Sequence, residues 1–309
     1  GLYFRRQRTK SSLLKALEYF RDAILIDPSC ADAHAGLTDT YVSLSYNHFM
    51  PAREAMEAAQ RSIAAALSLE PKSITVRNAE VNFKKCCTWD WQAAERVCRQ
   101  IVDSGSVEPR TLRLYADLMI NRGRHDDAIS LALHAHRLNP LSASANSQVS
   151  FAYFYAGDYD NAIPFIEQTI TLKPLLTIGH ALLGRTEAQR GNWNTAIESF
   201  ERGLALSGDS TFLKALLAYG YAGRGDTVIA SDMLREIEER RGDACYPAVD
   251  VSAVYAILNQ ENKALESIYK AYDLRDVKVT YIRYDPRFTR LRALPQFQEI
   301  ASSFCDRAG

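Results

Sequence analysis

The chain has no excess of either charge: Lys and Arg together number 37, and so do Asp and Glu. A dedicated nucleic-acid binder needs surplus cations to neutralise phosphates, so direct nucleic-acid binding is not expected. Long apolar runs are missing as well. No stretch reaches the ~18 consecutive apolar residues of a membrane-spanning helix, and no membrane association is expected. No signal-peptide pattern opens the chain, and it does not begin with Met. Gly1 reads as the trimmed start of a piece of a longer protein. Cysteine is sparse, with thiols at 30, 86, 87, 98, 245 and 305, no CxxC pair and no partner spacing with His. The pattern points to free thiols in a reducing cytoplasm rather than to a disulfide framework or a metal module.

Catalytic signatures are absent too. The chain contains no G-x-S-x-G, no G-x-x-x-x-G-K-[ST] and no H-E-x-x-H. His134 and His136 flank Ala135 on one helix and point to different faces, which does not suit a shared metal. No enzyme activity, cofactor or metal site is expected. Arg5-Arg6-Gln7-Arg8 reads as a frayed linker, and Asp126-Asp127 and Glu238-Glu239-Arg240-Arg241 as solvated helix ends and faces.

What the chain does have is a period. Ala94, Ala128, Ala162, Ala196, Ala230 and Ala264 are spaced 34 apart. Gly123, Gly157, Gly191 and Gly225 keep that spacing, each five residues before one of these alanines, and Pro140 and Pro174 also differ by 34. Each type has a physical reason. Glycine supplies a left-handed residue after a helix. Alanine allows two helices to cross closely. Proline steers the residue before it out of the helical region. Between these markers apolar residues recur at three- and four-residue spacings, as Val149 and Tyr153 or Ala162, Ile166 and Thr169 do, which predicts amphipathic helices. No segment of comparable length alternates with period two, so no sheet is predicted.

The period and the residues on it resemble the tetratricopeptide-repeat family. The resemblance covers nearly the whole chain and implies an all-α, right-handed superhelix (an α-solenoid) of stacked helix-turn-helix repeats with a C-terminal capping helix. It divides 1–309 as one array: a partial repeat over 1–30, repeats over 31–73, 74–108, 109–142, 143–176, 177–210, 211–244 and 245–276, and a cap over 277–309. The second unit is about nine residues too long around Ser45–Pro51. The unit from 74 is the most degenerate, breaking at Asp103-Ser104-Gly105-Ser106. In the last unit Asn259 stands where the turn glycine belongs, a residue that tolerates the left-handed region. After Leu274 the period is lost.

Such arrays leave their first helices along one open groove, and the resemblance implies that partners bind there. Mapped onto this chain, the groove positions include Arg110, Arg113, Asp117, Asn121, Ser147, Phe151, Phe154, Tyr155, Arg185, Gln189 and Tyr219. Aromatic rings with arginines and amides suit a protein or peptide partner carrying apolar anchors and a carboxylate. Several of these aromatics, Phe151 among them, are equally suited to packing between units. The family's clamp for a C-terminal carboxylate uses Lys and Asn; Asn121 matches in type, and the lysines do not. The opening stretch 8–44 and the tail "YDPRFTRLRALPQFQEI" further resemble the C-terminal tetratricopeptide half of bacterial winged-helix transcriptional regulators and class III nucleotide cyclases. That implies a cytoplasmic regulatory module controlling an upstream domain. A small-ligand sensor and a self-association scaffold are the alternative expectations.

Overall fold

An apolar stripe on a helix is stable only against a second surface, and in this chain the neighbouring helix supplies it. The computed structural model describes residues 1–105, 107–208, 210–240 and 245–304; Ser106, Arg241 and Cys305 lie outside them. Described residues form helices and turns, with no strand among them. A four-residue α1 (Leu2–Arg5) precedes α2 (Lys10–Ile26), and hairpins follow. They are α3 (Ala31–Tyr46) with α4 (Ala52–Leu69), α5 (Ile74–Phe83) with α6 (Trp91–Asp103), and α7 (Pro109–Asn121) with α8 (His125–Leu138). Then come α9 (Ala143–Ala156) with α10 (Tyr159–Leu172), α11 (Thr177–Gln189) with α12 (Trp193–Ser207), α13 (Thr211–Arg224) with α14 (Thr227–Glu238), and α15 (Ala248–Ile257) with α16 (Glu261–Asp273). Each hairpin packs on the next, building a superhelix. The six in-phase alanines are all fully buried. The surplus in the second unit lies in a lengthened α3 and the loop Asn47–Pro51.

The turns repeat in detail. At Gly157 the N–H donates to Phe154 C=O at 3.1 Å and the Asp158 N–H to Tyr153 C=O at 3.0 Å. The same pair of bonds closes the turns at Gly191, Gly225 and Asn259. Positive φ marks the whole register, from +70° at Gly123 to +101° at Gly225 and +59° at Asn259. Trp89 holds the corresponding place in the degenerate unit, also at φ +59°. There a π-helical turn, Lys84–Thr88, inserts before it, and the Asp90 N–H reaches back to Lys84 C=O at 3.0 Å. Substituting Gly157 with Val tests the turn alone, because a Cβ there would meet nothing within 4 Å. The expected loss is about 2 kcal/mol in urea unfolding, from backbone strain only. A variant as stable as the parent would remove the left-handed turn from the account.

A second recurring device ties three of the first helices, α3, α9 and α11, to the preceding unit. The His34 ring nitrogen lies 3.2 Å from Pro28 C=O, Asn146 Nδ2 donates to Pro140 C=O at 2.9 Å, and the His180 ring nitrogen lies 3.0 Å from Pro174 C=O. These histidines are structural.

The expected terminal helix is present as α17 (Pro295–Ser302). The chain reaches it, however, through three short 3-10 turns, Val277–Tyr281, Pro286–Phe288 and Leu291–Ala293. These do not lie over the end of the stack. They run along the face of the first helices, so the groove expected to be open is occupied by the chain's own tail. Val277 joins the apolar core of α2–α5, whereas Tyr281, Phe288, Phe297 and Phe304 join the core of the later hairpins. Near Trp89 the tail meets the third unit. The Trp89 ring packs against Tyr272 at 5.5 Å and Phe304 at 5.2 Å, and the Arg275 guanidinium lies 3.9 Å over it. The late repeats and the tail therefore dock on the early ones, and the superhelix is closed across its middle.

Candidate functional site

The first helices place a row of polar and aromatic side chains along the inner face, and the segment 276–288 lies on it. Asn121 Nδ2 donates to Thr280 C=O at 3.3 Å and Oγ1 at 3.1 Å. Tyr281 is the central anchor. Its hydroxyl donates to Asp117 Oδ1 at 2.8 Å and accepts from Lys85 Nζ at 3.1 Å, and its ring packs on Phe151 at 5.9 Å and Tyr155 at 5.4 Å. Arg185 donates to Asp285 Oδ2 at 3.2 Å and to the Tyr155 hydroxyl at 3.3 Å. Lys278 Nζ sits 3.3 Å over the Phe212 ring. Thus Asp117, Asn121, Phe151, Tyr155 and Arg185, all picked out from the sequence, meet in one place and hold the tail.

The remaining candidates go elsewhere. Arg110 pairs with Asp39, which Arg5 also contacts and to which Asn82 Nδ2 donates at 3.0 Å. Ser147 bonds within its own hairpin, to Ala143 C=O at 2.8 Å. Phe154 is fully buried, 4.5 Å under the Arg185 guanidinium, so it is core rather than groove surface. Gln189 donates to the Tyr219 hydroxyl at 3.1 Å, and Tyr219 is buried against Trp193. Arg113 has no hydrogen-bond or ion-pair partner among the described residues. Burial, with the charges of Arg8, Arg110 and Arg5, brings its pKa down to about 10.

The tail carries a buried ionic chain that sequence reading missed. Asp250 on α15 accepts from Lys278 Nζ at 2.9 Å and from Arg287 Nη1 at 2.9 Å. Arg287 Nη2 continues to Asp285 Oδ2 at 2.8 Å, and Asp285 meets Arg185. Charges alternate along the line, and the side chains of Asp250, Asp285 and Arg287 are 3% exposed or less. Burial pushes both carboxyls up; Lys278 and Arg287 on Asp250, and Arg287 and Arg185 on Asp285, outweigh it and hold both below the ordinary range. The available signal was Asp250 itself, an acid inside the apolar stretch Ala248–Ile257.

A pH dependence follows. A carboxyl depressed in the folded state adds stability above its unfolded pKa of about 3.9, and that stability disappears as pH falls through the folded value. Stability from this cluster should therefore be flat from pH 7 to about 5 and fall below about 4. The measurement is the denaturation midpoint against pH, followed by the fluorescence of the three tryptophans. A midpoint unchanged down to about pH 2.5 would show that the carboxylates are not held this way.

Among the described residues, no group of three or more His, Cys, Asp or Glu is placed to hold a metal ion. No described helix is long and apolar enough to cross a membrane. Cys86, Cys87 and Cys98 are buried, and burial pushes the Cys98 thiol up to about 12.

No family model matches the chain, and no curated protein matches it. Solved structures do resemble it. A chain of the APC/C hetero-tetramer Cut9-Hcn1 superposes with a TM-score of 0.63 at 15% identity, over 94% of this chain and 52% of that one. This chain thus spans about half the length of that neighbour. A tetratricopeptide repeat protein from Parabacteroides merdae gives a TM-score of 0.53 at 15% identity, over 79% of this chain and 97% of its own. Human IFIT1, in a dimer with PPP-AAAA, gives 0.61 at 16% identity, over 85% of this chain and 69% of its own. Together with the 34-residue register of alanines and left-handed turns, these likenesses establish that the chain has the tetratricopeptide-repeat superhelical fold.

Proposed function

We propose that the chain is a protein-interaction and regulatory module whose inner face takes a polypeptide segment, with its own tail as the resident competitor. One observation carries this reading. The face holds an irregular stretch of polypeptide through a carboxylate on Arg185, a backbone carbonyl on Asn121 and a phenol between Lys85, Asp117 and two aromatic rings. Those are the elements a peptide partner with an acidic residue and an aromatic anchor would present. Entry of such a partner requires displacement of 276–288, so binding is coupled to release of the tail. The resemblance of the opening segment and tail to the tetratricopeptide half of bacterial winged-helix regulators and nucleotide cyclases supports a role in controlling an upstream effector domain.

The test places a photocrosslinking residue at Gln189 and follows adducts formed in an extract of the source cells. Adducts with a defined protein should increase when Arg287→Gln loosens the tail, and should be suppressed by excess synthetic peptide 276–304. Adducts indifferent to both would show that partners bind outside the groove.

A further inference from the structure

A cavity of about 360 Å³ opens where residues 8–10 and the loop 47–49 face the connections leading into α11, α13 and α15. It is separate from the positions that grip the tail. Its described lining includes the cations Arg8 and Lys10 and the hydroxyl residues Thr9, Thr177, Ser207, Ser210 and Thr211, and among the described residues it contains no Asp or Glu. His48 also lines it. The His48 side chain is 7% exposed, and its Nε2 makes no hydrogen bond, the nearest acid being Asp276 Oδ2 at 3.8 Å. Three helices start at this wall, α2 at Lys10, α11 at Thr177 and α13 at Thr211. Their N-terminal dipole ends add positive potential to that of the side chains.

Low-dielectric walls with charge of one sign focus the field on a small anion. The volume falls in the range of small-molecule sites, roughly 300–1,000 Å³, and is too small for a threaded polymer. The Arg8 guanidinium fork, the Lys10 ammonium and the hydroxyls together match the several oxygens of a phosphoryl group, which a single carboxylate does not offer. We infer that this cavity binds a small phosphorylated compound through Arg8 and Lys10, with the hydroxyls of Thr177, Ser210 and Thr211 as further partners. The inference stands apart from the peptide reading of the groove and would survive its failure.

The experiment uses the full chain in phosphate-free buffer at low ionic strength, titrated calorimetrically with pyrophosphate, inorganic phosphate and succinate. Pyrophosphate should bind saturably at one site and raise the melting temperature. Succinate should bind about tenfold more weakly or not at all. The double variant Arg8→Gln/Lys10→Gln, changed only at exposed positions, should keep the parent melting temperature without ligand and lose at least about tenfold in pyrophosphate affinity. A double variant at two exposed cations elsewhere, Lys72→Gln/Arg137→Gln, matches the charge change and should keep the affinity. Three results would overturn the inference: no saturable binding of either phosphate, binding unaffected by Arg8→Gln/Lys10→Gln, or succinate bound as tightly as pyrophosphate.

Discussion

Replacing Arg287 with Ala is expected to lower the stability of the chain by about 3–5 kcal/mol. Arg287 is the shared partner of Asp250 and Asp285, and the side chains of all three are almost wholly withdrawn from water. Removing the guanidinium leaves two carboxylates facing each other with only Lys278 and Arg185 to balance them. Each carboxylate keeps one cation, so the size of the effect is set by the buried carboxylate oxygens that lose their charge-assisted donors and by the space the side chain leaves. Arg287→Lys keeps the charge but cannot donate in two directions from a planar fork, so it should fall between parent and Ala. Urea unfolding of the three proteins at pH 7 gives the comparison. A loss for Arg287→Ala below about 1 kcal/mol would mean that the cluster is open to solvent and the tail only loosely laid in the groove.

The second large effect is expected at Trp89. Truncation to Ala should cost about 3–5 kcal/mol, because the ring is 1% exposed and fills the space between Tyr272, Phe304 and the Arg275 guanidinium. The informative variant is Trp89→Gly. It installs the residue that four other units carry at this place and relieves about 1 kcal/mol of left-handed backbone strain. By the logic of the turn alone it should stabilise. By the logic of docking it should still destabilise, only about 1 kcal/mol less than Ala. Thermal and urea unfolding of both variants separate the two, and a stabilised Trp89→Gly would show that the ring contributes nothing to closure.

That position also shows where sequence reading stopped. The alanines from Ala94 to Ala264 and the glycines from Gly123 to Gly225 were legible because a helix crossing and a left-handed turn each restrict the residue type. Asn259 was legible for the same reason. Trp89 was not, because the tertiary contact of its ring outweighs the cost of its backbone conformation. The groove positions were legible as a face, since the repeat dictates which side each first-helix residue takes. Their occupant was not. Turns of three to five residues carry no helical period, and Arg185 meets an acid 100 positions away in sequence. Phe154 and Tyr219, assigned to the face by register alone, are large rings whose burial is worth more between neighbouring units than along an open surface.

A chain of stacked repeats with free ends can fray from either end and start folding at any unit, because each unit answers only to its neighbours. This chain has given up that freedom. Lys85 and Tyr281, 196 positions apart, share a hydrogen bond, so the third unit and the tail must meet before the inner face between them is secure. Such distant pairing slows folding and makes unfolding all-or-none rather than stepwise. Trimming one unit from the carboxyl end should therefore loosen the amino-terminal units as well.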